Sequence, residues 1–123
     1  MNSESNKTDL KARSFEFAVD VIGLCKLINK NQENKILLSQ LIRSATSIGA
    51  NLEEAAGART RAEFTNCMNI AKKEARESNY WLRLIDKTNE DLDCNFTELI
   101  RESNEIISIL TASIKTLDQN RKS

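Results

Sequence analysis

Between Ile42 and Ile85 the chain reads IRSATSIGANLEEAAGARTRAEFTNCMNIAKKEARESNYWLRLI, two amphipathic stretches parted only by a tight turn at Gly57. On both sides of the turn apolar residues return every three or four positions, the spacing of one face of an α-helix. The rest of the chain offers little to interrupt such a pattern. It has no proline and only three glycines, at positions 23, 49 and 57, in 123 residues. Long helices with few breaks are therefore the expected elements.

The periodicity predicts four of them. After a polar start over residues 1–9, expected to be flexible, a first helix opens at Leu10 with Thr8 or Asp9 as its cap. Its apolar side is Leu10, Phe17, Ala18, Val21, Ile22, Cys25 and Ile28. The polar string from Asn29 to Lys35 breaks the pattern. A second helix carries Leu37, Leu41, Ala45, Ile48, Leu52 and Ala55 on one stripe and stops at Gly57, a residue suited to a left-handed cap. Thr60 with Glu63 forms a capping box that restarts the chain.

The third helix runs to Asn89 with Phe64, Cys67, Met68, Ala71, Ala75, Ser78, Leu82 and Ile85 inward. After a polar loop, Asn95 and Glu98 look like a cap and its partner. The fourth helix repeats Phe96, Leu99, Ile100, Ser103, Ile106, Ile107, Leu110, Ile114 and Leu117. Short loops make successive helices antiparallel. The expected fold is all-α, an up-down-up-down four-helix bundle over residues 10–118, with residues 119–123 as a flexible end.

Lysine plus arginine number 18 and aspartate plus glutamate 18, so the chain is neutral overall. No whole-molecule pull toward nucleic acid exists, and any such affinity needs a local patch. The three cysteines, Cys25, Cys67 and Cys94, show no CxxC spacing and read as free thiols in a reducing compartment. No leader pattern or membrane-length apolar run is present, so a cytoplasmic protein with no membrane partner is expected.

Three surfaces stand out. At about 100° per residue, Arg61, Lys72, Arg76, Arg83 and Lys87 fall in one band of the third helix, with Thr65 and Asn69 between them and Tyr80 beside them. The band reads as a ridge for phosphates or as an ordinary solvated face. A second band of the same helix holds Ile70, Trp81 and Leu84 with Glu63, Glu74 and Glu77. It reads as a subunit contact with a polar rim, which Leu27 and Ile109 could complete, or as the flank of a broad core stripe. On the second helix Arg43, Ser47, Asn51 and Glu54 form a polar column, either a network joining subunits or a set of local pairs. An acidic end, from Asp86 through Glu90, Asp91, Asp93, Glu98 and Glu102 to Glu105, could repel nucleic acid or meet a neighbour's cations.

Reaction chemistry finds little foothold: only an all-carboxylate site, at Glu74 with Glu77 or Glu53 with Glu54, is left open. There is no histidine, hence neither the commonest general base nor the commonest metal ligand, and no Glu-x-x-His pair for a di-iron bundle. The cysteines lack zinc spacing, and no glycine-rich phosphate loop exists. The expectation is no catalytic activity, no metal and no cofactor.

The middle of the chain resembles the four-helix-bundle family of 23S rRNA-intervening-sequence proteins. The matching residues are Arg43, Ser47-Ile48, Asn51-Leu52-Glu53-Glu54, Gly57, Arg59, Glu63-Phe64, Ile70-Ala71 and Glu77. It departs at Gly49, Ala55 and Ala56, where the family often has proline, glycine and tyrosine. The resemblance implies a small homo-oligomer, typically a pentamer. The family is also similar to the accessory protein of diversity-generating retroelements, a basic pentamer that binds nucleic acid and reverse transcriptase. The sequence therefore points to a self-assembling interaction module, with an RNA- or DNA-binding accessory role as the alternative. Nucleic acid and a reverse-transcriptase-like protein are the partners the resemblance suggests.

Overall fold

The computed structural model describes residues 10–122. Four helices account for nearly all of them: α1 (Leu10–Cys25), α2 (Gln32–Ala56), α3 (Arg61–Thr88) and α4 (Phe96–Lys122). Each packs on its chain neighbours, and α1 closes against α4. Cross-helix bonds fix the directions. Lys11 near the start of α1 pairs with Glu53 near the end of α2, and Asn34 at the start of α2 bonds Asn89 just past α3. The architecture is the expected antiparallel four-helix bundle.

The helix ends follow local chemistry. Asn31 caps α2 by accepting from the Asn34 N–H at 2.8 Å, so the helix begins inside the polar string that was expected to be loop. Thr60 Oγ1 accepts from the Glu63 N–H at 3.0 Å, and Glu63 returns a carboxylate oxygen to the Arg59 N–H at 2.9 Å. Thr60→Ala removes an acceptor from the orphan N–H groups of α3, with an expected loss of about 1 kcal/mol in urea unfolding. Gly57 does not take the left-handed conformation expected of it. Its φ is −97°, and α2 closes through tighter i to i−3 bonds, Gly57 N–H to Glu54 and Ala58 N–H to Ala55, both 3.1 Å. Asn95 accepts from Glu98 N–H over a long 3.4 Å. The α1 caps expected at Thr8 or Asp9 lie outside the described residues. At the other end α4 remains helical through Lys122, past the expected boundary at 118.

The core holds Phe17, Val21, Leu41, Ala45, Ile48, Ala71, Ala75, Leu82, Ile85, Ile106 and Leu110, all essentially without solvent exposure. One fully buried serine comes from each helix: Ser14, Ser44, Ser78 and Ser103. Ser78 donates to Ser44 at 2.9 Å across the α2–α3 contact, and Ser44 donates in turn to the Leu41 carbonyl at 3.1 Å. Small side chains here let the helices approach closely. The expected stripes are shifted in places. Leu38 is buried where Leu37 was expected, and Leu24 and Ser14 are buried in α1, whereas Ile22 is exposed and Ala18 half-buried. Phe64, Cys67, Ile100, Ile107, Ile114 and Leu117 are half-buried, and Asn34, Glu74 and Asn79 are buried polar residues.

Candidate functional site

Helix α3 has a charged outer face because its core-facing positions recur at three and four and leave the complementary positions to solvent. Along that face an open groove of about 890 Å³ is lined by α3 together with Asn104 and Ile107 of α4. Of the five cations in the expected ridge, the groove gathers Lys72, Arg76 and Arg83, and adds Lys73. The other two go elsewhere. Arg61 borders a separate groove that also contains Asp118, and Lys87 pairs with Glu90 at 3.0 Å.

Tyr80 stands in the groove, 49% exposed. The Trp81 and Tyr80 rings are nearly perpendicular, centroids 5.0 Å apart at 72°, and the Arg83 guanidinium carbon lies 5.8 Å from the Tyr80 centroid. Arg83 Nε donates to Asn79 Oδ1 at 2.9 Å, and Asn79 Nδ2 donates inward to Ser103 Oγ at 2.9 Å. A relay of side chains thus joins the outer face of α3 to the α3–α4 contact. The helical wheel places Asn79 next to the core stripe, which was the available hint of this buried amide.

The second band of α3 does not stay together on an outward face. Glu74, 7% exposed, and Glu77 turn to α2, where Arg43 reaches both: Nη1 to Glu74 Oε2 at 3.0 Å and Nη2 to Glu77 Oε2 at 3.2 Å. The two carboxylates expected to rim a subunit contact are therefore bound within the subunit. Burial pushes the Glu74 carboxyl above its ordinary value, helped by the neighbouring Glu77 and opposed by Arg43. Partial burial also pushes on Glu77, but hydrogen bonds from Glu74 and Arg43 and the charges of Arg43 and Lys73 outweigh it, and its value falls. Trp81 and Leu84 are half-buried, with Trp81 packed against the core. The indole N–H of Trp81 is buried and has no partner among the described residues. Ile70 is 37% exposed.

The polar column divides too. Arg43 crosses to α3, whereas Asn51 Nδ2 donates to the Ser47 carbonyl at 2.8 Å within α2, and Glu54 is exposed. The acidic end is partly neutralised in place: Arg13 forms a bidentate pair with Glu102 at 2.9 and 2.7 Å, and Arg101 pairs with Glu98 at 3.2 Å. The cysteines are free, and burial raises the Cys25 thiol against the charge of Lys30.

An exposed apolar row on α1 was not expected. Phe15 is 66% exposed, Val19 46% and Ile22 37%. They border a groove of about 360 Å³ whose other wall is Thr46, Gly49, Ala50 and Glu53 of α2, with the Lys11–Glu53 pair across it. The spacing of four and three among Phe15, Val19 and Ile22 was visible in the sequence, but the choice of one core stripe per helix concealed it. Leu27 is also exposed, and Ile109 is half-buried. Among the described residues, no cluster of three or more His, Cys, Asp or Glu could hold a metal ion, and no helix is long and apolar enough to cross a membrane.

No curated protein sequence matches the chain. A solved structure is similar: the 1.70 Å crystal structure of a protein of unknown function from the S23 ribosomal protein family of Bacteroides thetaiotaomicron VPI-5482. It is 39% identical, with a TM-score of 0.80, covering 89% of this chain and 98% of that one. The sequence model of the 23S rRNA-intervening sequence proteins matches residues 6–112. This four-helix chain belongs to the 23S rRNA-intervening sequence protein family.

Proposed function

We propose that the protein is a non-catalytic, self-assembling interaction module whose copies join through the outer face of α1. The observation that carries this reading is the row Phe15, Val19 and Ile22, two aliphatic side chains and an aromatic ring left in water along one helix. Single exposed apolar residues are ordinary, but a row of them along a groove rimmed by the Lys11–Glu53 pair marks a surface that gains by being covered. Burying each such side chain is worth about 1.5–3 kcal/mol. The small residues Gly49 and Ala50 on the opposing wall leave room for an entering side chain. A closed homo-oligomer, expected to be a pentamer, would hide this face on every copy. The lack of histidine supports a binding rather than a catalytic role, and three unbridged cysteines support a cytoplasmic setting.

Native mass spectrometry over a dilution series tests the reading. The expected result is one dominant assembly of several subunits that persists to low micromolar concentration. A monomer throughout would end it.

A further inference from the structure

We propose that the open groove along α3 binds single-stranded nucleic acid, with phosphates on Lys72, Arg76 and Arg83 and a base stacked on Tyr80. This goes beyond the assembly reading and rests on different residues. The neutral net charge of the chain conceals an uneven distribution. Lys72, Lys73, Arg76 and Arg83 line the groove, and the carboxylate among its walls, Glu77, is already met by Arg43. The net field at the groove is therefore positive, and cations in a row displace counterions from a nucleic-acid backbone. From Lys72 to Arg83 the helix rises about 16 Å. That is the length of about five stacked nucleotides at 3.4 Å each.

Tyr80 chooses the single strand over the duplex. Its ring is half exposed, with the Trp81 ring nearly perpendicular to it and the Arg83 guanidinium over one face at cation–π range, which leaves the opposite face for a base. A fixed aromatic surface takes a base at little cost in side-chain ordering, and only an unpaired base offers its face. The Arg83 Nε bond to Asn79 aims the guanidinium while leaving its terminal nitrogens for a phosphate. Asn104, on the α4 side, supplies an amide able to bond a base edge or a sugar hydroxyl.

The test is fluorescence anisotropy of a labelled oligouridylate, and of the same oligonucleotide in a duplex, over a salt series. Three phosphate contacts predict that log K falls against log salt with a slope of about −2. Lys72→Glu with Arg76→Glu, which spares the Arg83–Asn79 bond, is expected to weaken binding at least about tenfold and flatten the slope. Tyr80→Ala is expected to weaken it about fivefold or more with the slope kept, and Tyr80→Phe to bind like the wild type. Lys26→Glu, on an exposed residue outside the groove, should change nothing. Circular dichroism checks that each variant is folded. Binding that is absent, equal for the duplex, or indifferent to Tyr80→Ala overturns the proposal. The subunit count of each variant is measured alongside, so that failure of assembly and failure of binding are read separately.

Discussion

Phe15→Asp combined with Val19→Asp is expected to convert the assembly to free subunits without loss of helix. Both side chains already face water in the isolated subunit, so charging them costs the bundle little. At a subunit contact the same change removes two apolar side chains at about 1.5–3 kcal/mol each. It also asks two carboxylates to give up water in a groove whose cation, Lys11, is already paired with Glu53. A loss of about 3–6 kcal/mol per contact corresponds to roughly a hundredfold to ten-thousandfold in its dissociation constant, at 1.4 kcal/mol per decade. Native mass spectrometry and far-ultraviolet circular dichroism read the two halves of this expectation. Ile70→Asp supplies the comparison, because Ile70 is the exposed member of the other apolar band. If Ile70→Asp dissociates the protein while the α1 variant stays assembled, the contact lies on α3 and the α1 reading is wrong.

Arg43→Ala is expected to lower the unfolding free energy by about 1–3 kcal/mol at neutral pH, because it strands a buried carboxylate. The lower part of the usual range applies, since half of the Arg43 side chain is in solvent. The dependence on pH distinguishes this cause from simple loss of packing. Glu74 sits above its ordinary value, so the fold prefers its uncharged form. Its favourable contribution is complete below the unfolded value, near 4.3, and is lost as pH rises through the folded value. Glu77 sits below its ordinary value and acts in the opposite sense, contributing above the unfolded value and losing its contribution as pH falls through the folded one.

In the wild type these two trends oppose each other around pH 4–5. Without Arg43 the pull on both acids disappears, so Glu74 rises further and the Glu77 contribution shrinks. The destabilisation should thus be largest at pH 7 and diminish as pH falls toward 4. Urea unfolding at pH 7 and pH 4.5 reads the difference. Arg43→Ala with Glu74→Gln should recover part of the loss at pH 7. A penalty that is the same at both pH values, or unchanged in the Glu74→Gln background, would show that the carboxylate pair is not its source.

The helices were legible in the sequence because burial of one face leaves a period in the order of residues. Leu41, Ala45, Ile48 and Leu52 in α2, and Ala71, Ala75, Leu82 and Ile85 in α3, lie where that period places them. What the period does not record is the polar content of the interior. Glu74 and Asn79 fall at the margins of the α3 stripe, and their burial depends on partners far along the chain: Arg43 for one, Ser103 for the other. A wheel drawn for a single helix assigns a carboxylate to water by default. The excess apolar surface of α1 was hidden for a related reason. Its apolar residues cover more of the circumference than one stripe, and the helix uses Ser14 and Leu24 inward while leaving Phe15, Val19 and Ile22 outside. The candidate groove was half legible. Lys72, Arg76 and Arg83 share a band in the sequence, but Lys73, the Trp81 support of Tyr80 and the Asn104 wall depend on how rings turn and how α4 lies.

The relay from Arg83 through Asn79 to Ser103 ties events in solvent to the seam between two helices. Asn79 is gripped at both ends, its carbonyl oxygen by Arg83 and its amide nitrogen by Ser103 and Asn104, so the guanidinium on the outer face and the α3–α4 seam share one side chain. Replacing Asn79 would therefore unfasten the outer cation and the inner seam together.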